Sequence, residues 1–135
     1  MDSFFKANRV YAVAGASSNP SKFGYKVLKW YKDRNIPAVP INFRKEVILE
    51  IPSVEDVTQV PVKPGQDVAI SVVSPPAVTQ KMLESLDKAQ GNVEAVWLQP
   101  GTYDQAVLAL AQEKVPNVIT DCILVKGDNY LPSKL

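Results

Sequence analysis

The feature that most constrains this chain lies between residues 10 and 24. An apolar run, VYAVA, stops at Gly15, a loop of small residues follows, and a helical pattern opens near Phe23. A buried strand, a glycine turn and a helix N-terminus in that order leave few folds open. At such a helix start several backbone N–H groups lack intrahelical partners, and the helix dipole adds positive potential there. An anion is the natural occupant, above all a nucleotide phosphate.

The rest of the chain repeats the alternation. Residues 9–14 read as the first strand and 23–34 as a helix, with Phe23, Gly24, Val27, Leu28 and Tyr31 on its inward face. Residues 36–41 read as a second strand, although Pro37 and Pro40 suit irregular strand ends better than a central position. Residues 42–52 form a connection. Ser53, Val54, Glu55 and Asp56 have the spacing of a capping box and predict a short helical turn. The third strand, DVAISVV at 67–73, has a β-branched and largely apolar interior, as expected for a strand covered on both faces. Ser74-Pro75-Pro76 makes a rigid turn into a helix that runs to about Gln90, with Gly91 and Asn92 as its stop. Residues 93–98 are the fourth strand. Thr102 caps a helix through Lys114, and residues 117–122 are the fifth strand.

Strands alternating with helices imply parallel pairing and right-handed crossovers. The expected fold is α/β: a three-layer, doubly wound, Rossmann-like sheet of five parallel strands, order 3-2-1-4-5, in a single domain over residues 1–135 with a core of about 7–127. A ligand would sit at the carboxyl ends of the strands, near the switch between strands one and four. The turns at 15–23, 42–45, 74–76 and 99–101 gather there.

Composition enters as a set of exclusions. The 135 residues carry a formal net charge of +1, which gives no electrostatic case for nucleic acid or an anionic membrane. No apolar stretch approaches a membrane span and the N-terminus does not read as a signal peptide, so a cytoplasmic location is expected. The chain has one cysteine and no histidine. No internal disulfide, no histidine-based triad and no histidine general base is therefore available, and a zinc site has almost no ligands. No metal is expected.

The nucleotide can be narrowed further. The GxGxxG fingerprint is absent, because Ala16 and Ser17 follow Gly15 and the next glycine is Gly24. An NAD site wants a carboxylate at the end of the second strand to hold the ribose diol. That end reads Pro40-Ile41-Asn42-Phe43-Arg44-Lys45, with no acid before Glu46. Two cations instead suit an extra ribose phosphate, which NADP carries at the 2′ position and coenzyme A at the 3′ position.

Five segments now carry a family resemblance: VAGASSNPSKFGYKV (13–27), VPIN (39–42), DVAISVVSPP (67–76), AVWLQPG (95–101) and the pair Asp121-Cys122. The chain resembles the small stand-alone CoA-binding proteins, whose domain is similar to the CoA-binding domain of the succinyl-CoA synthetase α subunit. The resemblance covers roughly residues 7–127. It implies a site for coenzyme A or an acyl-CoA. Gly15, Ala16, Ser17 and Ser18 would wrap the pyrophosphate, and Pro20, Lys22 and Gly24 would complete the loop. Asn42 with Arg44 or Lys45 would lie along the adenosine end, and Ser74, Pro75 and Pro76 would pack on the adenine or pantetheine. The synthetase's phosphorylated histidine has no counterpart here, so its ligase half-reaction is not expected and no catalytic residues are assigned.

Each residue has a plainer role to weigh. Lys22, Arg44 and Lys45 are solvated cations in the default case. Ser74 can simply cap its helix. Trp97 reads as core, and Cys122 as a small hydrophobe before a nucleophile. A mixed disulfide between coenzyme A and Cys122 is a subsidiary expectation that requires the thiol to be accessible. Two other classes compete with a CoA-binding protein: a small NADP-dependent reductase using one of Tyr11, Tyr25, Tyr103 or Tyr130, and a degenerate Rossmann domain serving as an interaction module. Phe4, Phe5 and residues 130–135 could pack on their own sheet or on a protein partner or second copy.

Overall fold

A computed structural model describes residues 4–132. Its strands and helices alternate as β1 (Arg9–Ala14), α1 (Phe23–Asp33), β2 (Ala38–Ile41), β3 (Val47–Ile48), β4 (Ile51–Pro52), β5 (Asp67–Val72), α2 (Pro76–Glu84), β6 (Val93–Leu98), α3 (Gln105–Lys114), β7 (Asn117–Thr120) and α4 (Ile123–Lys126). Five of the strands form one parallel sheet in the order β2-β1-β5-β6-β7.

The period-two alternation of the strands sorts the core into two faces. Tyr11, Val13, Ala69, Ala95 and Trp97 point to one face, where Val27, Leu28, Trp30 and Tyr31 of α1 and Ile123 of α4 cover them. Ala12, Ala14, Val68, Ile70, Val72, Val96 and Leu98 point to the other, covered by Leu83 of α2 and by Val107 and Ala111 of α3. This is the expected doubly wound, Rossmann-like α/β sheet with a helical layer on each side. Phe4 and Phe5 are buried against the chain's own first face. Residues 133–135, part of the expected apolar tail, lie outside the described residues.

The strand order corrects the expectation of 3-2-1-4-5. Counting only the five sheet strands along the chain, the order is 2-1-3-4-5, the other common doubly wound arrangement, with its switch between β1 and β5. The physical reason lies in β2. It has four residues, one of them Pro40. The Pro40 carbonyl accepts from the Val54 amide on the outer side of the strand. The side that lacks an N–H is therefore the outer one, and no ladder bond to β1 is lost. Such a strand belongs at the edge. β5, six residues long and buried on both faces from Val68 to Val72, takes the central place beside β1.

Smaller differences have equally local causes. The short turn expected after Ser53 comes at Val57–Gln59, because Asp56 and not Ser53 provides the cap, accepting from the Thr58 amide at 2.9 Å. Ser53 instead bonds through its hydroxyl to the Glu46 carbonyl. The third helix starts at Gln105 with Asp104 as its cap, accepting from the Val107 amide at 2.8 Å, while the Thr102 hydroxyl donates to the Gln99 carbonyl. The second ends at Glu84, where the Ser85 hydroxyl donates back to the Met82 carbonyl. The connection at 42–52 contains a two-stranded hairpin, β3–β4, turned by Leu49 and Glu50 at positive φ. Hairpin turns of this kind normally show Asn or Gly. Without them the hairpin left no mark in the sequence.

Candidate functional site

The loops at the carboxyl ends of the sheet enclose a cleft of about 1170 Å³. That exceeds the 300–1,000 Å³ range typical of small-molecule pockets and suits an extended ligand.

The first wall is the glycine loop. Gly15 has φ +89°, a conformation that L residues rarely adopt, and a Cβ there would come within 2.7 Å of the Ser74 amide nitrogen. The loops after β1 and β5 therefore touch at the switch point. A Cβ on Gly24 would collide with the Gly15 carbonyl oxygen, so α1 starts directly against the loop. Within the loop, the Asn19 amide donates to Ser17 Oγ at 3.1 Å and the Ser21 amide to Asn19 Oδ1 at 3.0 Å. Lys22 precedes α1 without a side-chain cap bond. The amides of Ser17, Ser18, Phe23 and Gly24 find no protein acceptor among the described residues. Four donors left over at one helix start are what an anion needs.

The second wall follows β2. Asn42 Nδ2 donates to the Ala16 carbonyl at 3.0 Å and to Glu46 Oε1 at 3.1 Å, and its Oδ1 accepts from the Arg44 amide at 2.8 Å. Asn42 thus ties the turn after β2 to the glycine loop. Arg44 lines the cleft and lies 5.4 Å from the centre of the exposed Phe43 ring. Opposite, the cleft is lined by Val57, Val78 and Met82, with Lys81 beside them.

At the far end stand Gln99 and Cys122. Gln99 is 3% exposed; its Oε1 accepts from the Ile123 amide at 2.6 Å and its Nε2 donates to Cys122 Sγ at 3.5 Å. Cys122 is half-buried and lines the cleft, so it is accessible rather than a sealed core residue. Trp97 is fully buried, its Nε1 donating to the Asp121 carbonyl at 2.7 Å.

Of the residues expected from the sequence, Gly15, Ala16, Ser17, Ser18, Lys22 and Gly24 line the cleft, as do Asn42, Arg44, Ser74 and Pro75. Pro20, Lys45 and Pro76 do not. Pro76 opens α2, and Lys45 Nζ points to Glu55 at 3.9 Å. The Ser74 hydroxyl is buried and shared with Thr79 Oγ1 at 3.0 Å, and its backbone stands against Gly15. Phe23, expected inward on α1, is 55% exposed and lines the cleft. Glu46, Glu55 and Asp56 also line it, and sequence reasoning missed them. Their signal would have been the chain reversal in the unrecognised hairpin, which brings residue 46 back to the end of β2.

No tyrosine lines the cleft among the described residues. Burial pushes the phenols of Tyr31 and Tyr11 above their ordinary value, against the lowering by hydrogen bonds from Ser71 and Lys6 respectively. Among the described residues no group of three or more His, Cys, Asp or Glu side chains gathers for a metal, and no helix is long and apolar enough to cross a membrane.

Comparison with known proteins agrees with this fold. A conserved hypothetical protein from Pyrococcus furiosus has a solved structure that superposes with a TM-score of 0.75 at 26% identity, covering 87% of this chain and 98% of that one. A hypothetical protein from Pyrococcus horikoshii superposes at 0.76 with 20% identity over 93% of this chain and 86% of that one, a likeness of fold. The α subunit of an ADP-forming acetate–CoA ligase from Pyrococcus furiosus is 36% identical over 90 residues, 65% of this chain. The chain spans only 19% of that subunit's length. Residues 9–128 match the family model of the CoA binding domain. The chain belongs to the CoA-binding domain family.

Proposed function

We propose that the cleft binds coenzyme A or an acyl-CoA and that recognition is the chain's own contribution. The observation that carries this is the set of four acceptor-free amides, Ser17, Ser18, Phe23 and Gly24, in a cleft long enough to continue past Arg44 on one side and Gln99 on the other. The amides and the α1 dipole would hold the pyrophosphate. Arg44 would neutralise the ribose 3′-phosphate, with Lys22 near the loop. Val57, Val78 and Met82 would cover the apolar parts of the ligand. The position of Lys45 beside Glu55 favours Arg44 alone as the phosphate partner.

Calorimetric titration with coenzyme A, acetyl-CoA, NADP and NAD tests the reading. Binding of the first two, with weak or no binding of the dinucleotides, is the expected result. NADP binding with silence toward coenzyme A would replace it with the reductase-like alternative, and silence toward all four with an interaction module. Arg44→Ala should weaken coenzyme A about three- to tenfold more than dephospho-CoA, the scale of one charge-assisted bond at an exposed site. Equal losses for both ligands would remove Arg44 from the phosphate.

A further inference from the structure

We propose that Glu46 is a specificity-determining residue: its carboxylate takes a free ribose hydroxyl of the nucleotide and turns the ribose phosphate toward Arg44. This rests on the nucleotide reading above and adds the orientation of the sugar. In dinucleotide folds an acid at the end of the second strand holds the ribose. This chain has none at that position, because β2 ends at Ile41 and Asn42 follows. The turn and the hairpin after it fold Glu46 back to the same place. Its Oε1 accepts from Asn42 Nδ2 at 3.1 Å and from Ser18 Oγ at 3.2 Å. Its main-chain carbonyl accepts from the Ser53 amide at 3.1 Å, so backbone and side chain are both held.

The two oxygens of this carboxylate are not equivalent. Oε1 has two donors, whereas Oε2 has none among the described residues. A half-buried carboxylate on a cleft wall with an unused oxygen offers acceptor capacity to a ligand donor. A phosphate cannot supply one and is repelled at that distance. A sugar hydroxyl can. Two residues earlier Arg44 lines the same wall with the opposite preference. A ribose with one free hydroxyl and one phosphate satisfies both side chains in only one orientation, with the hydroxyl on Glu46 and the phosphate on Arg44. A ribose without the phosphate leaves Arg44 unused, and one without the hydroxyl leaves Oε2 without a donor.

The test is a cycle between ligand and protein. Adenosine 3′,5′-bisphosphate and its 2′-deoxy counterpart are titrated into the wild type, Glu46→Ala, Glu46→Gln and Arg44→Ala, each checked by thermal melting. The wild type should prefer the hydroxyl-bearing ligand about tenfold, as one bond to a charged acceptor gives. Glu46→Ala should reduce that preference to within about twofold, and Arg44→Ala should weaken both ligands while leaving the preference intact. Glu46→Gln, which keeps an amide oxygen and the loop contacts, should fall between; it decides the matter if the alanine variant does not fold. A wild type without preference, or a preference that survives both Glu46 variants, overturns the assignment. If coenzyme A binds in those cases, the nucleotide reading stands and only the role of Glu46 fails. If neither coenzyme A nor either bisphosphate binds the wild type, both fail.

Discussion

Two regions of this molecule use similar residues to opposite ends. Under α1, an aromatic cluster of Phe4, Phe5, Tyr11, Trp30, Tyr31 and Trp97 packs edge-on and tilted, with Phe4 and Trp97 rings 5.5 Å apart and Trp30 and Tyr31 5.2 Å apart. The polar atoms of Tyr11, Tyr31 and Trp97 are matched within the protein. The Tyr11 hydroxyl accepts from the Lys6 amide and donates to the Lys6 carbonyl, both at 2.8 Å, and the Tyr31 hydroxyl and Ser71 Oγ share a bond of 2.6 Å. At the carboxyl ends of the strands, Phe23 and Phe43 are 55% and 75% exposed, helix-start amides lack acceptors and Glu46 has an unused oxygen. The first region has satisfied itself, and the second has capacity left over. Aromatic content does not separate core from site in this chain, whereas the matching of donors to acceptors does.

The sharpest way to test that division is to damage the matched region first. Trp97→Ala should cost about 3–5 kcal/mol of folding stability, the range for removing a buried large aromatic. It also strips the Asp121 carbonyl of its donor and the Phe4 and Tyr130 rings of a neighbour. Urea unfolding measures this. A loss below about 1 kcal/mol would mean that the cluster is loosely packed and the contrast with the cleft overstated.

Gly24→Ala probes the other region and should be next in size. The added Cβ meets the Gly15 carbonyl, so the loop must move away from the helix start that aims the free amides. Affinity for coenzyme A should fall about a hundredfold, as expected when a preorganised anion site is displaced by an ångström or so. Gly65→Ala is the control: φ is +85°, yet nothing lies within 4 Å of the new Cβ, so the change costs about 1 kcal/mol of stability and leaves affinity alone. If both variants bind equally well, the glycine loop is not where the ligand sits.

That contrast also explains what was legible beforehand. Gly15 and Gly24 mark a backbone geometry that few residues permit, so the strand, turn and helix could be read directly. The apolar strands were legible for the same reason, since burial on both faces leaves Ser71 as the one polar residue inside DVAISVV, after Asp67 at its start. The strand order was not, because alternation specifies that strands are parallel but not which of them neighbour each other. The prolines in and before β2 were the available clue to an edge. Glu46 was hidden because its position depends on a hairpin turned by Leu49 and Glu50, residues with no turn signature. Arg44 and Lys45 look equivalent in sequence, while the turn, with Lys45 at φ +56°, sets Arg44 in the cleft lining and Lys45 beside Glu55.

Tyr31→Phe is a milder incision into the matched region. It leaves Ser71 Oγ, fully buried in the middle of β5, without its partner, and should cost about 1–2 kcal/mol, the penalty for one unsatisfied buried hydroxyl. Affinity for coenzyme A should not change, since neither residue lines the cleft. A stability change near zero would show that Ser71 finds another acceptor and that matching in this region is less specific than it looks.

The smallest effect is expected where the matched region reaches solvent. The Arg34 guanidinium lies 4.2 Å from the Trp30 ring centre and grips Asp128 with two bonds, Nε to Oδ1 at 2.6 Å and the second nitrogen to Oδ2 at 3.0 Å. The hydrogen bond from Arg34 holds the Asp128 carboxyl below its ordinary value, with the arginine's charge adding to it and desolvation opposing. A carboxyl lowered in the folded state stabilises that state above its unfolded value, and the contribution disappears as pH falls through the folded one. Asp128→Asn should therefore lower the melting temperature slightly at neutral pH. The gap should start to close as pH drops past about 3.9, the ordinary aspartate value, and be gone once the folded protein is protonated there. Salt should narrow it as well, because the pair is exposed. A gap that stays constant down to pH 2 would assign the whole effect to packing of the 127–130 turn on Trp30, where Gly127 packs so closely that a Cβ there would come within 2.5 Å of the ring. In that case even the rim of the aromatic region would be held by shape rather than charge, and the division between a sealed end and a receptive one would extend to the surface.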